Sequence, residues 1–362
     1  MSTTKSFGTL SEFLMQAGTE YIIYDISRAR RLVSNQEFFD YELNNEPFPT
    51  PRQAHAWLCI VFWNKQIRNK NNEQEHYIWF IKLPIDERGL IMQAARDQFL
   101  HIVVEALGQD MQRADEKQAQ LPENPFVFAP SQQQLADCNA SIRKQLKLPE
   151  REGFSKAKHY ISAPSVQSWN DLSVQDMSDL AVNINAPEIA NALAQNFDIL
   201  PTPVAICLCS TFEGIPLPPR VSDSLLAYHT RCETSLAPMV LRALASTNTV
   251  TVDKHIEALI LEKNLDTETL IVIAGRHWQR LIPNGKTDDL ADSLLASYLE
   301  QLANADSSYA LFKGVFADLV RLPSLRTFLL AMIRQPLGKD ALQLAVTHLL
   351  SEAESAPKNA HN

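Results

Sequence analysis

The chain has 362 residues, a formal net charge of −9 at pH 7 and 45% hydrophobic residues. At roughly 100 to 200 residues per domain, this length predicts two or three domains, and the apolar share is large enough to exclude a disordered protein. The longest apolar run, residues 56–63, is far shorter than the roughly 20 residues that cross a bilayer. Glu12 interrupts the only apolar segment that could serve as a signal peptide. We therefore expect a cytoplasmic protein with no membrane partner.

The cysteines and the distribution of charge bear on three properties of the protein: disulfide bonds, metal binding and nucleic-acid binding. Five cysteines lie at positions 59, 138, 207, 209 and 232, and an odd number without Cys-x-x-Cys spacing predicts reduced thiols. Cys207 and Cys209 are two apart on a predicted helix and point in different directions, which favours structural thiols over a metal pair. Counted along the sequence, the charge is about −3 over 1–110, +2 over 111–158 and −8 over 159–362. We expect the acidic C-terminal part to repel nucleic acid.

The first 110 residues combine helix and strand signals. Thr9 with Glu12, and Ser34 with Glu37, match capping boxes and predict two short helices. Residues 21–26 predict a strand, and the apolar runs 56–63 and 76–81 predict a hairpin. Both runs are apolar at odd and even positions, so either both faces of the sheet are covered or one face is a partner surface. Asp86 is expected to cap a long helix over 87–107.

Beyond residue 108 the pattern changes twice. Residues 109–134 are rich in Gln, Asp, Glu and Pro, which predicts a domain boundary, although Phe126–Phe128 is apolar enough to lie extended against a domain. Short helices are predicted from about Ser131 and Phe154. Beyond Trp169, apolar residues recur at helical spacing and predict roughly eleven helices. A pair of these helices spans about 33 residues, which is within the range of helical repeats.

These elements predict an α+β N-terminal domain, with an antiparallel sheet and helices, over residues 1–110. A Gln/Pro-rich linker with short helices is expected over 111–165, an all-α array over 166–355 and a disordered tail over 356–362. The array has the spacing of a HEAT-like solenoid but shows no repeat consensus. The sequence therefore leaves a helical repeat and an irregular bundle as alternatives.

Several segments resemble an uncharacterised family of gammaproteobacterial proteins. The segments that carry the resemblance are 10–14 (LSEFL), 55–58 (HAWL), 62–66 (FWNKQ), 75–80 (EHYIWF), 93–97 (QAARD) and 122–128 (PENPFVF). The likeness is close over residues 7–130 and loose after that. The resemblance implies a bacterial cytoplasmic protein, and it implies no activity and no catalytic residues.

Two motifs resemble binding sites, one for phosphate and one for a metal, but both are better explained without a bound ligand. Gly285-Lys286-Thr287 resembles the end of a phosphate-binding loop, but Arg280 occupies the position where that motif needs glycine, and the preceding segment predicts a helix instead of a strand. Asp97, His101 and Glu105 are four apart on one helix face, as metal ligands can be. A solvated helix face with weak pairings explains the same spacing. We therefore expect no metal and no other cofactor.

One patch of the N-terminal domain is the strongest candidate for a surface with a function. His55 and His76 flank the predicted hairpin and, if close together, would offer acid–base chemistry. Basic residues beside Trp57, Trp63 and Trp79 would suit single-stranded nucleic acid. These basic residues are Arg28, Arg30 and Arg31, with Lys65, Arg68 and Lys70 in the hairpin loop. The alternative is that these basic residues lie in solvent-exposed turns without a binding role, on a domain whose net charge is negative.

No motif defines a catalytic constellation, so the sequence favours a non-enzymatic scaffold for protein–protein interaction with an unidentified protein partner. The alternative is an RNA-associated accessory factor, or an enzyme, with its site on the N-terminal domain. The interaction surface predicted for this domain comprises Arg28, Arg30, Arg31, His55 and His76.

Overall fold

The computed structural model describes residues 7–64, 75–107, 122–285, 290–334 and 340–355. The contacts divide the chain into two compact units, Met1–Asn183 and Ile184–Asn362. Four features predicted from the sequence lie outside the described residues: the basic hairpin loop 65–74, the middle of the polar linker 108–121, Lys286 with Thr287, and the tail 356–362.

A four-stranded antiparallel sheet forms the centre of the first unit. Its strands, in the order β2-β1-β3-β4, are β1 Thr19–Asp25, β2 Arg31–Val33, β3 His55–Asn64 and β4 Tyr77–Pro84. Ile60 of β3 lies opposite Ile23 of β1 on one side and Trp79 of β4 on the other. The predicted strand and hairpin are therefore confirmed, because β-branched and aromatic residues pack well on a pleated surface. Strand β2 has three residues and gave no pattern in the sequence.

Six helices accompany the sheet in the described part of the first unit. They are α1 Leu10–Gln16, α2 Asn35–Glu42, α3 Gln93–Leu107, α4 Gln132–Gln145, α5 Glu152–Ser162 and α6 Val174–Ala181. Ser34 and Glu37 form the predicted capping box at the start of α2. The predicted start of α3 at residue 87 is wrong. The Asp86 side chain accepts hydrogen bonds from the N–H groups of Arg88 and Leu90, which forms a tight turn and delays the helix until Gln93.

The two faces of the sheet belong to two separate apolar clusters. Ile60 and Ile81 point to the first face, in one cluster with residues of α1, α2 and α3. Cys59 and Val61 point to the second face, where they form a cluster with Cys138 and other residues of α4. The alternation along β3 explains the division, since neighbouring residues of a strand point to opposite faces. Both faces are therefore covered, which decides the question that the sequence left open.

Residues 126–128 cover the outer edge of β4. The Lys82 N–H donates to the Phe126 carbonyl over 2.7 Å, and the Phe128 N–H donates to the Phe80 carbonyl over 3.1 Å. The expectation that this apolar segment lies extended against a domain is confirmed. This segment, α4 and α5 all belong to the first compact unit. The predicted boundaries at residues 110 and 165 remain predictions about where the chain separates when it is cut.

The second unit consists of helices. They are α7 Pro187–Asn196, α8 Thr202–Phe212, α9 Pro219–His229, α10 Ala237–Ala243, α11 Val250–Glu262, α12 Thr267–Arg276, α13 Leu294–Ala305, α14 Ala310–Leu319, α15 Pro323–Arg334 and α16 Asp340–Ser355. With α6, eleven α-helices follow Trp169 in the described ranges, as the apolar spacing predicts. The all-α character of this part is confirmed.

Most of these helices pack beside the helix that is next but one in the chain. Thus α7 packs on α9 and α9 on α11, while α8 packs on α10 and α10 on α12. We call α7, α9, α11 and α13 the odd helices, and α8, α10, α12 and α14 the even helices. Consecutive helices also touch, as α9 touches α10 and α12 touches α13, so the odd and even rows pack against each other. Whether the array is a regular solenoid remains an expectation.

Candidate interaction surfaces

Two of the three predicted surface arginines point into the first unit. The buried Arg28 donates from Nε to the Pro51 carbonyl over 2.9 Å. The Arg30 guanidinium lies 3.9 Å from the Asp137 carboxylate of α4, and both side chains are almost completely covered. Arg31 pairs with Glu37 at 2.9 Å and stays partly exposed. Arg28 and Arg30 therefore stabilise the packing of the unit, and Arg31 is the one that reaches solvent.

His55 and His76 do not come together. In the register of the hairpin, His55 lies opposite Pro84, whereas Tyr77, which follows His76, lies opposite Phe62. In an antiparallel hairpin the start of one strand meets the end of the other, so the two imidazoles lie at opposite ends of the strands. The idea that they approach each other across the hairpin is wrong, and with it the acid–base pair.

A different basic and aromatic group surrounds His55. The Arg52 guanidinium lies over the Trp57 indole, 4.4 Å from its centroid, and the Lys82 ammonium lies 5.6 Å from the same centroid. The Phe128 ring packs edge-on against the indole at 4.7 Å. All of these side chains are half-buried, so each one reaches solvent. We call Arg52, His55, Trp57, Lys82 and Phe128 the Trp57 cluster.

A tight turn and a buried carboxylate hold the Trp57 cluster in place. Arg52 and His55 exchange two backbone hydrogen bonds of 3.0 Å around Gln53 and Ala54, whose φ angles are 50° and 62°. Residues other than glycine adopt this left-handed region at an energetic cost. Behind the turn, the Asp25 carboxylate accepts a hydrogen bond from the Thr50 hydroxyl, and burial raises the pKa of Asp25. The segment that leads into the turn is therefore tied to the end of β1.

The outer sides of α8, α10 and α12 carry uncharged residues, which are bordered by the charged Arg242 of α10 and by Glu268 and Arg276 of α12. Along α8, the uncharged residues that reach solvent include Pro203, Ile206, Cys207 and Ser210, at the spacing of one helix face. The corresponding residues are Met239 and Ser246 for α10 and its end, and Ile271, Val272 and Gly275 for α12. Ile206 is 37% exposed and Ile271 is 48% exposed. We call these nine residues the even-helix face.

An ion-pair group aligns the three parts of the even-helix face. Glu213, at the end of α8, accepts from Arg242 of α10 at 2.6 Å and also pairs with Arg276 of α12. Arg242 lies three residues after Met239, and Arg276 lies four residues after Val272. Because residues three and four apart share a helix face, the two arginines border the uncharged residues of α10 and α12. The group uses one carboxylate for two guanidiniums, so its net charge is positive.

The outer surface of the odd helices has a different composition. Arg220 and Asp223 are exposed on α9, and Asp253, Lys254 and Glu257 are exposed on α11. Charged side chains on the outer face are typical of a helix that contacts water. The outer side of α8, which exposes no charged residue, is therefore less polar than the outer sides of α9 and α11.

Three histidines lie within the array. His255 of α11 and His229 of α9 are joined by a ring hydrogen bond of 3.0 Å, and burial and the neighbouring His255 lower the pKa of His229 to about 4. His277 follows α12, is completely buried and hydrogen-bonds from Nε2 to the Leu241 carbonyl at 2.8 Å. Burial, above all, lowers the pKa of His277 to about 3. These imidazoles are neutral at pH 7, which lets them pair with each other and with the backbone.

The other candidate ligands have ordinary partners. His101 pairs with Glu105 at 3.2 Å on an exposed helix face, and Asp97 pairs with Arg96 at 2.5 Å. Cys209 is buried, and burial raises the pKa of its thiol to about 12. Within the described ranges there is no group of three or more metal-ligating side chains. No described helix is long and apolar enough to cross a membrane.

The fold and its surfaces define a two-part protein in which an antiparallel sheet with helices precedes an array of helices. The chain belongs to a family described as protein of unknown function, DUF3549, whose model matches residues 5–350. The match covers both compact units, so the predicted resemblance to a family without assigned activity is confirmed over nearly the whole chain. No curated protein and no solved structure matches the chain.

Proposed function

We propose that the protein is a non-enzymatic cytoplasmic scaffold whose second unit binds a protein partner through the even-helix face. The carrying observation is the group of nine uncharged residues that reach solvent on α8, α10 and α12, with Ile206 and Ile271 exposed. Contiguous exposed apolar residues are costly in water and mark surfaces that other proteins cover.

The packing of the array supports this proposal. Helices that pack on the next-but-one helix form rows, and rows of helices in repeat proteins present extended surfaces to partners. The ion pairs of Glu213 with Arg242 and Arg276 hold the outer sides of the three even helices in fixed positions. A surface that is fixed before binding loses less conformational entropy when a partner docks.

The chemistry of the partner follows from the same residues. An apolar face bordered by a positively charged ion-pair group suits an amphipathic helix with apolar anchors and an acidic flank. The five cysteines are free, with Cys59 and Cys138 buried in one cluster, which supports a reducing compartment such as the cytoplasm.

Paired substitutions in the full chain test the proposal. Ile206→Glu and Ile271→Glu each place a charge on the even-helix face, whereas Leu261→Glu makes the same change at a 54%-exposed residue of odd helix α11. Tagged chains expressed at native level are isolated with their bound proteins, and the proteins are quantified by mass spectrometry. We expect proteins that accompany the wild type and Leu261→Glu chains to be reduced at least about tenfold with the other two variants, since central interface anchors contribute about 2 kcal/mol or more.

Circular dichroism of the variants controls for folding, because exposed positions tolerate the change. Equal recovery of partners by all four chains would refute the role of the even-helix face. Isolation of a wild-type chain without any associated protein would refute the scaffold function.

A further inference from the structure

Two buried thiols meet between the sheet and α4, and neither belongs to the even-helix face. Cys59 lies in the central strand β3 and Cys138 lies in α4, and both belong to the apolar cluster on the second face of the sheet. Their side chains hydrogen-bond to each other, and this bond, together with burial, raises the pKa of Cys59. Cys59 therefore holds its proton and donates it toward the Cys138 sulfur. We call Cys59 and Cys138 the thiol pair.

A buried guanidinium lies beside the thiol pair. The Arg30 side chain is 9% exposed, and its Nη1 atom is 3.9 Å from the carboxylate of Asp137, the residue before Cys138. Its Nη2 atom is buried and has no hydrogen-bond partner in the part of the chain that the structure describes. The charge of Arg30 reaches the pair, since it opposes the rise in the pKa of Cys59. A buried donor without a partner is rare and costly, so Arg30 has a donor left for a negatively charged atom that forms next to it.

These contacts give the two sulfurs different roles. A thiol reacts with oxidants as its thiolate, and a nearby positive charge and hydrogen-bond donors stabilise that form. For Cys138, the Cys59 S–H supplies the donor and Arg30 supplies the charge. Cys138 is therefore the sulfur that attacks an oxidant, and Cys59 is the neighbour that completes a disulfide with it. A reactive cysteine next to a second one is the arrangement typical of redox sensors.

Burial limits the oxidants that reach the thiol pair. Cys59 is 0% exposed and Cys138 is 2% exposed. A bulky disulfide such as oxidised glutathione is thereby excluded from both sulfurs, because disulfide exchange needs direct access to the attacking thiol. Hydrogen peroxide is little larger than water, and local opening of a helix admits molecules of that size. The site therefore selects small hydroperoxides.

We propose that the thiol pair is a peroxide-sensitive switch that closes a disulfide between β3 and α4. The Cys138 sulfur forms a bond to one oxygen of hydrogen peroxide, the O–O bond breaks, and the thiol proton leaves with the other oxygen as water. The Cys59 sulfur then attacks the Cys138 sulfur, the S–O bond breaks, and the Cys59 proton leaves with that hydroxyl as a second water. Two thiols and one peroxide thus give one disulfide and two waters. The disulfide fastens α4 over the second face of the sheet until a thiol reduces it.

Peptide mapping of the full chain tests the switch. The chain is treated with hydrogen peroxide or with oxidised glutathione, the remaining thiols are blocked, and the digested peptides are identified by mass spectrometry. We expect peroxide to link the peptides of Cys59 and Cys138 with a loss of about 2 Da, and dithiothreitol to reverse the link. Oxidised glutathione should leave both cysteines as thiols, whereas linkage by glutathione alone would refute the selection by size. Cys207 and Cys232 are half-buried and serve as references for more accessible thiols.

Cysteine variants assign the two roles. In Cys59→Ser, Cys138 should stop at the sulfenic acid, which dimedone labels, because the second sulfur is gone. In Cys138→Ser, peroxide should leave Cys59 as a thiol at the concentration that links the wild type. A sulfenic acid on Cys59 and none on Cys138 would refute this assignment.

Arg30→Gln tests the charge beside the thiol pair, with Arg31→Gln as the control. Arg31 follows Arg30 in the chain, but it pairs with Glu37 and stays partly exposed. We expect Arg30→Gln to slow disulfide formation at least about tenfold, and Arg31→Gln to change it less than about twofold. An unfolded variant would react faster and also with oxidised glutathione, so a folding defect cannot imitate the slower rate. Equal rates would refute the role of Arg30, and the whole proposal is overturned if peroxide leaves Cys59 and Cys138 unlinked in the wild type.

Discussion

The two units differ in the ionisable groups that they bury. The first unit buries carboxylates: Asp25 accepts from the Ser27 N–H and the Thr50 hydroxyl, and Glu42 accepts from the N–H groups of Leu10 and Ser11 at the start of α1. The second unit buries the neutral imidazole of His277. Burial raises the pKa of both carboxyls and lowers that of the imidazole, because it disfavours the charged form in each case. The units should therefore respond to pH in opposite directions.

The units also differ in how far apart in the chain their contacts reach. Glu42 caps a helix that begins 32 residues earlier, and Arg30 meets Asp137 of α4. In the array, by contrast, the polar contacts join nearby helices, as Arg242 joins Glu213 of α8. A unit built from distant contacts loses much of its structure when one core position fails, whereas an array of neighbours fails locally. The following predictions test this difference.

The largest effect is expected from Ile60→Asp. Ile60 is completely buried in the central strand β3, and a carboxylate there has no partner among its apolar neighbours. The cost is at least several kcal/mol, which is comparable to the stability of a domain. We expect the strand and helix amides of the first unit to lose protection from hydrogen exchange in the full chain while those of α8 to α12 keep it. Retained protection in β3 would mean that the strand faces are assigned wrongly, and loss of protection in both units would contradict the expectation that the first unit unfolds without the second.

Gly153→Ala is expected to destabilise the first unit by about 1 to 3 kcal/mol, the usual cost of an overpacked contact. A Cβ added at Gly153, in the first turn of α5, would lie 1.7 Å from Oδ1 of Asp176 in α6. Gly314→Ala in α14 is the matched control in the second unit, since a Cβ there meets nothing within 4 Å. Ala is favoured over Gly inside a helix, so the control should be stabilised by about 0.5 to 1 kcal/mol. Urea denaturation followed by circular dichroism measures both changes.

The same substitution in an Asp176→Ala background identifies the cause. With the carboxylate removed, Gly153→Ala should become neutral or stabilising because only the helix preference remains. An equal loss of stability in both backgrounds would mean that the clash with Asp176 is not the reason.

Lowering the pH from 7 to 5 should affect the units with opposite signs. The folded pKa of His277 lies at about 3, below its ordinary value of 6.5, so its contribution is complete above pH 6.5 and is lost as the pH falls toward 3. At 1.36 kcal/mol per pH unit, His277 alone should cost the second unit about 2 kcal/mol at pH 5. The raised pKa values of Asp25 and Glu42 mean that their contribution is complete below their ordinary pKa values and is lost as the pH rises through the raised ones. Hydrogen exchange corrected for intrinsic rates should show α10 and α12 less protected at pH 5 and β1 at least as protected, and the reverse pattern would refute the assignment.

The smallest effect is expected from His101→Ala in the first unit. The His101 side chain is 73% exposed and contacts Glu105 in an ordinary helix-surface pair. The free energy of unfolding should change by less than about 0.5 kcal/mol, as for most surface substitutions. A larger loss, measured by urea denaturation, would show that this face of α3 has a structural or binding role that its contacts do not reveal.

Local sequence signals predicted the helices and strands, but they could not predict the contacts between residues that are distant in the chain. The capping residues Ser34 and Glu37, and the apolar runs on either side of the hairpin loop, act over a few residues and can be recognised in the sequence. Arg30 is buried because it pairs with Asp137, which is 107 positions away. The sequence shows only the charge of Arg30, and this charge predicted a position on the surface. The start of α3 failed for a local reason, because Asp86 can begin either a helix or a turn.

The candidate sites show the same limit. His55 and Trp57 drew attention as residues of the right types, but Lys82 was recognised as a partner only in the register of β3 with β4, and Arg52 only by its contact with the indole. The even-helix face was equally hidden, since single exposed residues such as Ile206 look like core positions until the packing of α8 on α10 shows which side is open. A sequence shows residue types and spacing, whereas the folded structure determines which side chains lie close enough to act together.

Helix α4 covers the second face of the sheet, so this face is exposed during synthesis until α4 has been made. Strand β4 ends at Pro84, but the helix that covers Cys59 and Val61 ends at Gln145. A ribosome that adds about 5 to 20 residues per second needs roughly 3 to 12 seconds to make the intervening segment. During that time an apolar sheet face emerges without its helix, at a stage when unpaired chains aggregate most readily. We therefore expect this face to need early protection in the nascent protein, and a chain that stops before α4 to be a substrate for chaperones.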